Sequence, residues 1–540
     1  DAAGGDASEP VDIYAHYVDG LGNEADNPAA EFVPLRFVQY LPFVSKSGDS
    51  GAGLSYNNSI AGFANIGYRD TDGTWKAMGT GVTGGAVNAI LPAPDGSVYV
   101  GGAFTSAGGV ATTANIARWN GTAWSSLPTG LNGAVHALEM GPDGKLYVGG
   151  DFTATIGGTT LNRLGVWDGA NWTALGTGLN GRVRALAFGF DGSLYVGGDF
   201  TQAGGIAAYK FAKWDGSAWS SVGGITNITA VEKVYAVAVG PDGLIYVGGA
   251  FVGTTGYALS NGIAKYDPVA NTWGHFGNGV DTGVYAITFG ADGALIIGGP
   301  FSTTFGGTSS HIARWNGTRF ESLGAGITGY QKSVYGMAVG MDGAIYAGGD
   351  FSTAGGVTMP DHDAVWSGGV WLPLDIKIQD AAAVINTFAF DSFGRLYMGG
   401  GWTGSTALSA IVTVTSTGNT GKGTSPVITF TGPGTIWQIK NYTTGQAIYL
   451  GGVTLPAGAS ISLDLRSGRV GIVGTANNSS LFQAMIAKNF LAHIMVGSTL
   501  DWYLRPGTNN VSVFMTGTTA ASGVVMVWQD SYWSIDGAKR

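Results

Sequence analysis

The side chains in this 540-residue sequence that could do chemistry fall into three sets. Asp151, Asp199 and Asp350 each follow a glycine pair in a recurring GGDF stretch, and carboxylates repeated around one architecture invite a ring of Ca²⁺ ligands. The competing reading makes each aspartate a turn cap that bonds its own backbone. The cap is favoured, because Ala103, Ala250, Pro300 and Gly401 stand at the same place in other copies. The six histidines, His16, His136, His275, His311, His362 and His493, are scattered, with no two at metal-ligand spacing, and read as surface or loop residues. A glycoside hydrolase needs two carboxylates facing one pocket, and here spacing singles out no pair. Asp95, Asp143, Asp191, Asp242, Asp292 and Asp342 are already accounted for by hairpin turns. With no cysteine, the chain cannot form a disulfide, a thiolate metal site or the cysteine-modified tyrosine of galactose-oxidase-type propeller enzymes. No catalytic, cofactor-binding or metal residue is therefore assigned and no cofactor is expected; the chain reads as a non-enzyme.

The elements that would position such groups repeat. GPDGKLYVGGDFT at 141–153 contains an Asp-Gly pair flanked by apolar runs, a hairpin signal in which both turn residues are expected at φ > 0. Its turn glycine recurs as Gly96, Gly144, Gly192, Gly243, Gly293, Gly343 and Gly394, at intervals of 48, 48, 51, 50, 50 and 51 residues. A second hairpin alternates with it, typified by NIARWNGTAW at 115–124. It closes on Trp75, Trp124, Trp172, Trp219, Trp273, Phe320 and Trp371, positions that suit contacts between neighbouring repeats. Two hairpins in about 50 residues make one four-stranded blade of a β-propeller. The first tryptophan hairpin precedes any Asp-Gly hairpin, and the last Asp-Gly hairpin has no tryptophan hairpin after it. The chain ends therefore share a blade, and a seven-bladed ring closes over residues 62–404. In loops such as GGAFTSAGG at 101–109, the glycine pair is expected to turn the backbone sharply while the Phe packs between blades. These GGxF and WNGxxW repeats resemble those of bacterial surface proteins and fungal cortical polarity markers.

Composition agrees with an all-β chain. The 94 glycines cluster at turns beside β-branched and aromatic residues rather than in a low-complexity pattern. A net charge of -10 without a run of Lys or Arg excludes a phosphate-backbone partner, so no nucleic acid is expected. No stretch reaches 18 apolar residues, and no membrane insertion is expected. The chain starts at Asp1 without a methionine, which reads as a processed product or a fragment.

Outside the ring, residues 1–61 read as an arm whose segment Val33 to Val44 has the alternation of one strand. A lone strand is marginal in water, so it is expected in a sheet completed by missing residues, by the C-terminal domain or by a neighbouring subunit. Residues 405–425 read as a linker with one short strand, Ala410 to Val414. Residues 426–540, with alternating segments such as Val427 to Thr431 and Ser460 to Leu465, read as a β-sandwich.

PVITFTGPG at 426–434, KNYTTGQAIYLGGVTLPAGASISLDL at 440–465, WYLRPGTNNVSVF at 502–514 and YWSID at 532–536 resemble, in the same order, the C-terminal domain of distal tail proteins of long-tailed phages. The strand around Tyr40 to Phe43 is similar to the last strand of that family's N-terminal domain. The resemblance implies a galectin-like sandwich and a structural virion protein of the phage tail. Its partners would be other tail proteins and copies of itself, with a host-surface glycan or protein as a further one. By analogy with phage tail hubs, the arm is also expected to pack into a neighbouring copy or another virion protein, in a ring of three or six subunits. The alternative is a secreted or cell-surface adhesin or lectin, and behind it a propeller hydrolase. Because the aspartates are read as caps, chelation with EDTA is expected to leave the melting temperature unchanged, and a large drop on calorimetry would refute that reading.

Overall fold

A computed structural model describes residues 36–41 and then 64–402, apart from 72–74, 224, 226–231, 255–256, 330–332, 360, 375 and 379–382. In the C-terminal part it describes 405–407, 411–416, 427–464 apart from 432, 442–443, 445, 456 and 458, then 471–475, 507–516 and 523–529. Among these residues there is no α-helix, and one 3-10 turn lies at Ala111–Thr113. The protein is all-β, and its repeats build a β-propeller.

Each repeat folds as two antiparallel hairpins laid side by side. In the second complete repeat the strands are Val135–Met140, Leu146–Gly150, Leu164–Trp167 and Trp172–Ala174, hydrogen-bonded in that order. Seven four-stranded sheets of this kind occur among the described residues between 66 and 401. Their inner strands touch in cyclic order, the last, Val384–Phe390, meeting the first, Val87–Pro92. Closure is by a sheet drawn from both ends of the repeat region. Ile66–Arg69 pairs with Leu396–Gly401, with Tyr68 opposite Tyr397. The hairpin at Trp75 thus lies beside the one at Gly394, as the phase of the repeats predicts.

The Asp-Gly turn differs from expectation. The hydrogen bond runs from Gly144 N–H to Gly141 O, and only Gly144 (φ 74) is left-handed. The turn centres on Pro142 and Asp143, and proline, fixed near φ −65°, cannot enter a turn that needs positive φ at its first central position. The glycine then forms the bulge that returns the chain to register. Asp143 Oδ1 accepts Lys145 N–H at 3.1 Å, which is the turn role expected for this series.

The paired glycines have another role than sharp turning. A Cβ on Gly149 would lie 2.3 Å from Val183 Cγ1 on the inner strand of the next blade, and one on Gly150 would lie 2.1 Å from Ala134 O within its own blade. The same collisions recur around the ring, from Gly101 with Val135 to Gly399 with Val87. The first glycine admits the neighbouring blade, and the second admits a carbonyl that enters the same blade. Between blades the Phe of each GGxF, such as Phe152 and Phe200, is fully buried. The hairpin tryptophans also bind across the gap: Trp124 Nε1 donates to Met78 O at 2.7 Å, Trp172 to Leu127 O at 2.9 Å and Trp371 to Leu323 O at 2.8 Å.

The C-terminal strands form two further antiparallel sheets. One contains Ile411–Ser416, Gly507–Thr516, Gly434–Asn441 and Gln446–Leu455 in that spatial order. The other runs Arg36–Leu41, Gly523–Gln529, Val427–Thr431, Ser460–Asp464 and Gly471–Thr475. The arm strand therefore has a partner in its own chain, with Arg36 opposite Gln529 and Leu41 opposite Val524. Of the three expected completions this is the C-terminal domain, whose Gly523–Gln529 edge satisfies the backbone of the arm strand. The segment read as a linker holds the short strand expected in it, as Ile411–Ser416. Ser405–Ala407 pairs with Ile376–Ile378 beside the propeller, and Ile411–Ser416 is an edge strand of the C-terminal sheets.

The glycine collisions predict strong coupling between blades. Gly149→Ala is expected to cost about 1–3 kcal/mol through overpacking. Val183→Ala in the same chain should relieve part of that cost, so that the double variant unfolds in urea less readily than the summed single effects require. Additive effects would refute the contact.

Candidate functional site

At the end of the ring where inner strands begin, six of the seven blades place one residue that the ladder does not pair. Register shifts by one between Val135 and Ala137, and likewise between Val87 and Ala89, Val183 and Ala185, Val234 and Ala236, Val334 and Gly336, and Ile385 and Thr387. The extra residue of each bulge is Asn88, His136, Arg184, Tyr235, Tyr335 or Asn386. In the remaining blade Tyr285 takes the position just before its inner strand, its N–H donating to Gly298 O at 2.8 Å. All seven lie eight residues before the turn glycine of their blade, and all are half-buried. The apolar residue just before each, Val or Ile, is nearly constant, whereas the bulge residue is Asn, His, Arg, Tyr, Tyr, Tyr and Asn in turn. The fold dictates the valine and leaves the bulge residue free.

These side chains stand around one end of the ring, the mouth of the space its inner strands enclose, and several reach the next blade. Asn386 Nδ2 donates to Val87 O at 2.9 Å, and Asn88 Nδ2 donates to Val135 O at 3.0 Å, so each asparagine reaches the next blade. The Arg184 guanidinium lies 5.0 Å from the Tyr235 ring centre. Tyr235 meets Tyr285 edge-on at 4.5 Å, and Tyr285 stacks on Tyr335 at 5.7 Å with 8° between planes. One arc of the mouth is therefore aromatic, and the adjoining arc is charged.

Asp151, Asp199 and Asp350 belong to this mouth, and their expected role as turn caps is corrected. Each binds the bulge residue fifteen positions earlier. His136 Nε2 lies 3.0 Å from Asp151 Oδ2, Arg184 donates to both Asp199 oxygens at 2.7 and 2.9 Å, and the Tyr335 hydroxyl donates to Asp350 Oδ2 at 3.0 Å. Asp151 also accepts Arg182 Nε at 2.5 Å, and Asp350 accepts Ser333 N–H at 2.7 Å. The carboxylates are held because the bulge brings the start of the inner strand against the residue after the glycine pair. The copies with Ala103, Ala250, Pro300 and Gly401 have Asn88, Tyr235, Tyr285 and Asn386 at the mouth. Among the described residues no three His, Asp or Glu side chains are grouped to hold a metal ion.

The backbone carbonyls of the same loops are also tied down. One residue per blade has positive φ where the third strand starts, Asn65, Asn115, Arg163, Lys210, His311 and His362 immediately before it and Gly262 within the longer strand Tyr257–Asp267. Glycine would adopt this conformation at least cost, so the six side chains imply a gain that offsets the strain. Lys210 Nζ donates to Asp199 O at 2.9 Å, Arg163 Nη1 donates to Asp151 O, and His362 Nδ1 lies 2.8 Å from Phe351 O. His136 and His362 are thus built into the mouth, unlike the surface role expected for them. His275 has Nδ1 3.3 Å from Gly277 O on an exposed hairpin, and His16 and His493 lie outside the described residues.

The electrostatics favour fixed charges on aspartate and a neutral imidazole. Burial raises the Asp151 carboxyl, but its bonds from His136 and Arg182 outweigh that and leave it below the usual carboxylate range. Burial lowers His136, and the nearby arginines add to this against the pull of Asp151. A neutral ring with Nε2–H on Asp151 leaves Nδ1 to accept Asn88 Nδ2 at 3.4 Å, which suits both contacts. Tyr335 is pushed up to about 12 by burial and by Asp350, so its phenol stays a donor. Further along the same inner strand as His136, burial pushes the Glu139 carboxyl up to about 7 against a bond from the Phe188 backbone.

Sequence reasoning found the aspartates but not their partners. The signal was present as a variable residue at a constant offset from the turn glycine, but a bulge was needed to see why it faces away from the ladder.

A family profile described as "Domain of unknown function (DUF5122) beta-propeller" matches residues 93–120 and 141–164. No curated protein matches the chain. Among solved structures, the extracellular domain of a one-component system of B. thetaiotaomicron is similar at 14% identity and TM-score 0.42, over 78% of this chain and 48% of that one. A surface component of the type-IX secretion system of Porphyromonas gingivalis is similar at 13% identity and TM-score 0.38, over 75% and 61%. A GH74 xyloglucanase from Xanthomonas campestris is similar at 16% and 0.39, over 61% and 53%. The chain thus spans about half the length of the first of these, and nothing about activity is carried over from them.

Glu139 gives a pH-dependent prediction. Its folded pKa of about 7 lies above the ordinary value of 4.5, so its contribution favours the fold below pH 4.5 and is lost as pH rises through 7. Glu139→Gln keeps the acceptor for Phe188 and is expected to stabilise the protein by up to about 3 kcal/mol at pH 8, with little effect at pH 4. Equal melting-temperature shifts at the two pH values would refute the assignment.

Proposed function

We propose that this chain is a non-enzymatic display protein, in which a closed seven-bladed propeller is carried as an insertion in a galectin-like sandwich domain of the phage distal-tail type. The observation that carries this reading is the pairing of Arg36–Leu41, before the propeller, with Gly523–Gln529 near the other end of the sequence. A domain whose sheet is assembled from both flanks of an insert holds that insert by two connections. Those connections leave the ring together: Trp402 N–H donates to Asn65 Oδ1 at 2.6 Å, so the chain enters and leaves at neighbouring points. The four distal-tail-like sequence segments lie in the carrier rather than the ring. In this reading the carrier docks on the tail with copies of itself and other tail proteins, and the propeller mouth faces outward for host attachment.

A non-enzymatic role fits the engagement of the mouth's carboxylates. Asp199 is occupied by a two-point arginine contact, Asp350 by a phenol and a backbone N–H, and Asp151 by His136 and Arg182. A glycosidase acid needs a carboxyl held protonated opposite a free carboxylate. Glu139, raised to about 7 by burial, stands three residues beyond the bulge of its inner strand rather than among these engaged aspartates. The adhesin or lectin alternative uses the same mouth and differs in where the carrier sits.

Cryo-electron microscopy of purified source particles tests the reading. A seven-lobed ring joined by two strands to a sandwich at the tail tip is the expected result. A particle whose tail lacks this chain, with the protein recovered instead from cell envelopes or medium, would favour the adhesin.

A further inference from the structure

We infer that the mouth of the ring binds an anionic saccharide, with its oxyanion on the Arg182 and Arg184 arc and a sugar ring on the adjoining arc of Tyr235, Tyr285 and Tyr335. The inference rests on reading the mouth as the attachment surface, and it names the chemistry recognised there.

The bulge position carries residues that the fold does not require, so its occupants can be chosen for something outside the fold. Arg184 is committed to Asp199 through Nε and Nη2, which fixes its plane and leaves Nη1 for a ligand. Arg182, two residues earlier and more than a third exposed, bonds Asp151 through Nε and leaves both terminal amino groups unused. Asp199 and Asp151 thus fix two guanidinium groups that keep unbonded amino groups, and a guanidinium fixed in orientation suits a carboxylate or phosphate. Preorganisation of this kind reduces the cost of ordering long side chains on binding.

The aromatic arc begins where the charged arc stops, at the Arg184–Tyr235 contact. Tyr285 and Tyr335 lie nearly parallel, and Asp350 fixes the Tyr335 hydroxyl. Half-buried, ordered rings with phenolic edges suit a pyranose, whose C–H face lies on an aromatic ring while its hydroxyls take polar partners. Neutral glycans would leave the two arginines unmatched.

The test is a binding titration of the full chain against acidic glycans and matched neutral ones. Oligogalacturonate is set against its methyl ester, sialyllactose against lactose, and phosphorylated mannan against mannan; the first two pairs and the third separate carboxylate from phosphate as the oxyanion. At least one acidic member is expected to bind ten-fold or more tighter than its neutral counterpart, and more weakly as salt rises. Arg182→Gln should abolish that preference, and Arg182→Lys should restore only part of it, because a point charge cannot reproduce a guanidinium. Tyr285→Leu should weaken acidic and neutral members alike. A variant counts only if its melting matches the parent, and if Arg182→Gln does not melt normally then Arg182→Lys decides. No acidic preference in any pair at millimolar glycan, or a preference unchanged in the deciding Arg182 variant, overturns the inference. A chain seen on tails that ignores acidic glycans removes this inference alone, whereas a glycan-binding chain absent from tails removes the distal-tail reading and leaves the mouth as assigned.

Discussion

The ring depends on the contact between the first glycine of each GGxF pair and the inner-strand valine or isoleucine of the next blade. No Cβ fits there, since the nearest atoms would approach to between 2.3 and 2.8 Å around all seven interfaces. That close approach lets the buried Phe and the cross-blade tryptophan bonds reach their partners. It also explains why glycine, otherwise unfavourable within a strand, lies inside Leu146–Gly150 and its counterparts. Stability in such a ring is shared between neighbours, so each interface supports the two beside it.

The second glycine connects architecture to the site. Its missing side chain makes room for the carbonyl of the residue before the inner strand, and the inner strand begins there with a bulge. The bulge turns one residue out of the ladder in six of the seven blades, while the ladder on both sides remains the same. The mouth can therefore hold histidine, arginine, tyrosine or asparagine without any change to the core. Aspartate after the glycine pair then serves as a clamp for the residues that need one, His136, Arg184 and Tyr335.

Much of this was legible in the sequence, because repetition amplifies weak local signals. The turn glycines marked the blades, and the offset of the Trp75 and Gly394 hairpins marked the sheet made from both ends. What could not be read were contacts at a distance. Asp151 looked like a cap because its neighbours in sequence offer only backbone, whereas its partners His136 and Arg182 are brought in by a register shift and by the next blade. The Asp-Gly turn was misassigned because its central residues are the aspartate and the residue before it, with the glycine as the bulge that follows, in copies with proline and in those with Phe190, Ala291 or Met341 alike. The pairing of Arg36–Leu41 with Gly523–Gln529 spans nearly the whole sequence, and alternation within one segment cannot say which edge it joins.

That last pairing sets how the molecule bears mechanical load. The strands are antiparallel with Arg36 opposite Gln529, so tension applied to the chain before Arg36 and after Gln529 acts at the same end of the ladder. Such a pull opens the hydrogen-bonded pairs one after another, like a zipper, rather than shearing them all at once. Once this ladder has opened, Gly523–Gln529 is still held on its other side by Val427–Thr431, so the carrier's ladders stand in the path of the load before Asn65 and Trp402, where the chain enters and leaves the ring. The pull of the two chain ends thus meets the carrier's ladders, one pair at a time, before it meets the propeller.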